Sequence, residues 1–168
     1  MSTEFSSLML SLQNGETPMP LIAAESGLFP GVQPFGKTAF KNCRLPDETR
    51  AGLLLYAGFG KDSHSVSQDL STPEGSYWHA IYHRMEPDDW NSKYWFRQVG
   101  PHPIEDQLKK ASIEAGWNPG RKWDHTRFVE FISAARTGSN PANSALAIKI
   151  QHIEWQLLFE HCAKDITE

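Results

Sequence analysis

Five prolines (Pro18, Pro20, Pro30, Pro34 and Pro46) and four glycines (Gly15, Gly27, Gly31 and Gly36) fall between residues 14 and 46. Proline removes a backbone donor and fixes φ, and glycine loosens the chain, so neither a helix nor a sheet gains length there. Yet Leu21, Ile22, Leu28, Phe29, Val32, Phe35 and Phe40 make the segment too apolar for a disordered tail. The expectation is a mostly irregular strap over residues 1–46, packed on a core built by the rest of the chain.

That core reads as helical. Asp47 is placed to cap a helix running through residues 48–70, with Leu55, Tyr56, Phe59, Val66 and Leu70 on one face. Thr72 followed by Pro73 is an N-cap with proline at the first helical position, so a second helix spans about 73–86. Its apolar stripe is Tyr77, Trp78, Ile81, Tyr82 and Met85. Pro87 and the residues DDWN break the chain before a short helix over 92–99, which Gly100 and Pro101 end. An amphipathic helix over 104–115 closes at Gly116, Asp124 caps 125–136, and a polar loop over 138–144 leads into a last helix over 145–163. No Asn-Gly or Asp-Gly turn joins alternating strands, and no internal repeat is present. The reading is an all-α, single-domain bundle of five to seven helices.

A chain of 168 residues supports one sizeable core. Its 16 Lys and Arg against 20 Asp and Glu leave a net charge of -4, so no global field draws it to nucleic acid or anionic lipid. Cys43 and Cys162 stand far apart without a CxxC, which suits a reducing compartment. The first fifteen residues carry Glu4 and no basic start, unlike a secretory signal, and no run reaches the ~18 apolar residues of a membrane span. A soluble cytoplasmic protein is expected.

The chemistry concentrates on the second helix. His79, His83 and Glu86 stand at i, i+4 and i+7, within about 60° of arc. The apolar stripe centres about 140° away. That polar face is therefore either wet or the lining of a second, polar cavity. If the first two helices form an antiparallel hairpin hinged near Thr72, His64 lies eight residues before the hinge and His79 seven after it, at heights within about 2 Å. His64, His79 and His83 are thus candidate ligands for Zn, Fe, Mn or Ni, with Glu86 a candidate catalytic acid or base. Ala80 follows His79, so the general base of the zinc-protease motif is absent. Gln68, Arg84, Lys93, Arg97 and His102 are candidate ligand-binding residues, the cations suited to holding substrate charge. His125, His152 and His161 are expected to serve surface or capping roles.

The run from Ser63 to Pro103, with YWHAIYHR and NSKYWFRQVG inside it, resembles a block found in bacterial and fungal proteins described only as uncharacterised. The resemblance covers about a quarter of the chain and implies no activity, cofactor or catalytic residue. Two functional readings follow from the residues. The first is a His-lined pocket that binds a divalent metal or a small anionic ligand, in a metal-dependent hydrolase or lyase. The second is a non-catalytic ligand-binding or homo-oligomeric module that uses the aromatic block 77–96. Neither reading involves nucleic acid or a membrane.

Overall fold

The computed structural model describes residues 19–24, 27–29 and 36–164. Among these, a 3-10 turn at Lys37–Phe40 precedes seven helices and there is no β-sheet. They are α1 (Pro46–Tyr56), α2 (Gly60–Ser67), α3 (Pro73–Met85), α4 (Asp89–Val99), α5 (Glu105–Ala115), α6 (His125–Arg136) and α7 (Pro141–Ala163). The fold is an all-α single domain.

Local signals set most of the boundaries. Thr72 Oγ1 accepts the Gly75 N–H at 3.1 Å and caps α3, while its own hydroxyl donates to Glu48 at 2.7 Å. Such a cap contributes about 1 kcal/mol, and here it also ties α3 to α1. Asp124 caps α6 through the Arg127 N–H, and Gly116, at φ 111, ends α5 in a left-handed conformation. Two helices start earlier than the apolar pattern suggests. Asp88 caps α4 through the Asn91 N–H, and Asn140 caps α7 with Pro141 at its first turn.

The expected helix over 48–70 is in fact two. α1 ends at Tyr56, Gly58 turns the chain at φ 87, and α2 restarts at Gly60. The apolar pattern runs through this turn because Phe59 is still packed against the core, so periodicity alone hides the break.

α3 is the central helix, packed against α1, α2, α4 and α6. Every residue from Gly75 to Met85 is buried, so of the two readings of the polar face the wet one fails for His79 and His83, while Glu86 is exposed. One apolar cluster joins α1, α3 and α7 through Leu53, Tyr56, Trp78, Ile81, Trp155 and Leu158. A second joins α5, α6 and α7 through Leu108, Phe128, Ile132, Ala147 and Ile150. Fully burying each such side chain stabilises by about 1.5–3 kcal/mol before the entropy of ordering is subtracted.

The described part of the strap is held on this core. The Ala23 N–H donates to Met85 O at 2.8 Å, the Leu28 N–H to Ala57 O at 2.7 Å, and Gln151 Nε2 to Pro20 O at 2.9 Å. Met19 and Leu21 are buried. Pro18, Pro30, Gly31, Val32, Pro34, Phe35 and the first fifteen residues lie outside the described residues. Cys162 is a free thiol, and burial raises it far above its usual range. No helix of the described residues is long and apolar enough to cross a membrane.

Candidate metal centre

The break at Gly58 lets α2 fold back beside α3. Gly60 makes the approach close: a Cβ there would stand 2.9 Å from the Tyr82 ring, inside van der Waals contact. Ser63 Oγ donates to Ala51 O at 2.8 Å and fixes α2 against α1. With α2 so held, His64 faces the turn of α3 that carries His79 and His83.

The three imidazoles meet. Ring centroids of His64 and His79 are 4.6 Å apart, those of His64 and His83 5.3 Å, and those of His79 and His83 4.8 Å. One ring nitrogen from each lies within 4.8 Å of the other two. Tetrahedral Zn–N bonds of about 2.0–2.1 Å place nitrogens about 3.3 Å apart, so an ion is reached by ring movements of about 1 Å. His79 and His83 are buried and His64 is half-buried.

The surroundings prepare these rings as ligands. His83 Nδ1 hydrogen-bonds Glu86 Oε2 at 3.1 Å, which leaves Nε2 as its free coordinating nitrogen. The Tyr82 hydroxyl donates to the other Glu86 oxygen at 3.4 Å. Trp95 stacks on His79 with centroids 4.1 Å apart and planes at 25°, forming one wall. Nδ1 of His79 is buried and has no hydrogen-bond partner among the described residues. Burial, with the His83 and His64 charges, pushes His79 down to about 3. Burial and His83 also lower His64, against the opposing pull of Glu86. Both rings are neutral at pH 7 and present lone pairs without first losing a proton.

No protein-family model, curated protein or solved structure matches this chain. The chemistry of the site therefore rests on its own geometry.

The remaining sequence candidates are dispersed. Arg84 is not a substrate-binding cation: it is fully buried on the other side of α3, paired with Glu154 through Nη1 and Nη2 and placed 4.8 Å above the Phe128 ring. The residue after His83 turns 100° around the helix, into the core. His102 is also away from the three histidines, beside Glu74 and His161. Gln68 is exposed at the C-cap of α2. Lys93 and Arg97 line a separate cleft of about 540 Å³ with Lys122, Phe96, Trp123 and His125, and Lys93 is bonded to Glu130 at 2.9 Å. Glu86 touches His83 and Tyr82, and acts on the site by positioning His83.

Three groups near histidines escape the sequence reading. Trp95 stands sixteen residues after the ring it covers, on a different helix. Glu74 and His161 are 87 residues apart and bond at 2.9 Å. His125, expected on the surface, accepts from Trp123 Nε1 at 3.0 Å and bonds Glu105 at 3.1 Å. The available signal for Glu74 was its place in the first turn of α3. That position alone reads as a favourable helix-dipole charge.

Proposed function

We propose that His64, His79 and His83 bind a divalent transition-metal ion, and that the protein is a metal-dependent hydrolase or lyase. The observation that carries this reading is the convergence of three imidazoles from two helices, one of them buried with an unpartnered nitrogen. A buried polar atom without a partner costs about 1–3 kcal/mol, and an ion at that atom would offset the cost. A three-nitrogen set suits Zn, Fe or Ni better than Mn, which favours oxygen.

Held by His64, His79 and His83, such an ion would supply Lewis acidity, enough to acidify a water or polarise a carbonyl or phosphoryl oxygen. The chain's own groups supply the rest. Glu86 orients His83 and strengthens it as a donor. Trp95 and Tyr82, whose rings stand against His79 and His64, keep water from the inner side of the imidazoles. Glu86 is itself about half-exposed, so its carboxylate can also exchange a proton with solvent.

Elemental analysis of protein prepared without a His-tag, followed by titration with Zn or Ni, tests the reading. The double substitution His79→Gln and His83→Gln is expected to remove one equivalent of uptake. No retained metal and no uptake on titration would sink it.

One feature favours a second reading, a ligand-binding or homo-oligomeric module. Trp90 is 72% exposed and lies parallel to the half-exposed Tyr94, with ring planes at 10°. Aromatic pairs of this kind are enriched at interfaces. Sedimentation of Trp90→Ser against the parent chain separates the two, since a seam through Trp90 predicts a smaller species in the variant.

A further inference from the structure

A second group of ligating side chains forms where three distant segments meet. Glu74 comes from the first turn of α3, His102 from the loop before α5, and His161 from the last turns of α7. Glu74 Oε1 is 2.9 Å from His161 Nε2 and 3.8 Å from His102 Nε2. One donor atom from each lies within 4.8 Å of the other two. The side chain of His102 is 1% exposed, and its Nε2, which faces Glu74, has no hydrogen-bond partner among the described residues. His161 also lines a cavity of about 170 Å³ with Pro103, Ile104, Gln107, Glu160 and Lys164, which opens the group to small molecules.

We propose that Glu74, His102 and His161 form a second binding site for a divalent first-row transition metal, separate from the three-histidine site. Two imidazoles and one carboxylate make a mixed N₂O set, suited to Zn, Fe or Co. Three protein ligands leave further positions toward the cavity beside His161.

Two features set the terms of binding. His102 Nδ1 accepts the Ile104 N–H at 3.4 Å, so in the neutral ring the proton sits on Nε2. An ion on Nε2 sends that proton to Nδ1 and breaks a contact at the long end of the hydrogen-bond range. Arg44 Nη2 stands 3.6 Å from the same Glu74 oxygen, and Arg44 Nε donates to His161 O at 3.0 Å. Arg44 therefore holds Glu74 and His161 in place while competing with a cation for the carboxylate.

The test is Co²⁺ titration of the untagged full chain, read by visible absorption and equilibrium dialysis. The parent should take up two equivalents, and the combined His79→Gln and His83→Gln variant one. That remaining equivalent should vanish in the same background with His102→Gln or with Glu74→Gln, while Arg44→Met should tighten it several-fold. Circular dichroism checks each fold, and His161→Gln, at a less buried position, decides if His102→Gln does not fold. If the parent takes up only one equivalent and that one survives His79→Gln and His83→Gln, this site is supported and the three-histidine reading is removed. No uptake in that variant, or uptake unchanged by His161→Gln, overturns the proposal and leaves the group as an ion-pair staple between α3 and α7.

Discussion

Arg84 and His79 are both buried on α3, yet the first is matched by its surroundings and the second is not. Arg84 meets the Glu154 carboxylate and Gln151, and Glu154 also accepts from the Tyr77 hydroxyl at 3.1 Å. Only the Nε of Arg84 lacks a partner. His79 has an unpartnered Nδ1, two imidazole neighbours and a stacked Trp95. A charge with an opposite charge and neutral acceptors around it holds a core together. A buried imidazole with an unpartnered nitrogen contributes little to the fold and leaves a lone pair for a ligand. Burial of polar groups on one helix thus serves two ends, and partner inventory tells them apart.

The most severe way to disturb the matched side is to remove half of it. Glu154→Ala leaves the Arg84 charge buried without its counterion and should destabilise the chain by about 3–5 kcal/mol, measured by urea unfolding. Arg84→Met combined with Glu154→Leu should recover much of that loss. A double variant as unstable as the single one would show that the pair itself, and not the stranded charge, stabilises the fold.

On the ligand side, Glu86→Gln keeps the shape of the side chain and removes its charge. Weaker Zn affinity by about 10–100-fold is expected from calorimetric titration, with little change in melting temperature. An unchanged affinity would remove Glu86 from the site.

The ligand side also responds to acid. His79 sits near 3 in the fold against 6.5 when free, so the unfolded chain takes up a proton that the fold refuses. Stability must therefore fall as pH drops from about 6.5 through about 3. His64, His83 and Glu86 face this ring, and His102, near 4, adds a change of the same sign. Glu74 and Asp88, both lowered, lose their contributions at more acid pH, also in the same direction. His79→Leu should show a shallower loss than the parent between about pH 6.5 and 5, by thermal melts. Equal slopes would mean that His79 is not held neutral.

The smallest effect belongs to Trp90. At 72% exposure, Trp90→Ser should change stability by no more than about 0.5 kcal/mol. A larger loss would place Trp90 in the fold and end its use as an interface marker.

Much of the α-helical plan was legible because its signals are local. Thr72-Pro73, Asp124 and Gly116 mark helix ends through bonds that span three or four residues, and each lies where the fold uses it. The meeting of His64 with His79 was reachable for the same reason: a short hinge and a fixed rise per residue restrict where two nearby helices can touch. The break at Gly58 was not legible, because Phe59 keeps the apolar pattern unbroken across it. Arg84 was misplaced because a 100° step around α3 separates ligand face from core, and only the packing of α6 and α7 shows that the second face is also buried.

By itself, then, the order of residues determined most of the helices, the caps at Thr72 and Asp124 and the pairing of His64 with the second helix, since all depend on short-range geometry. The tertiary structure alone decided which polar groups are matched. Glu154 reaches Arg84 across 70 residues, and Glu74, His102 and His161 meet from three segments. Such contacts are selected by the packing of whole helices, and no periodicity along the chain records them.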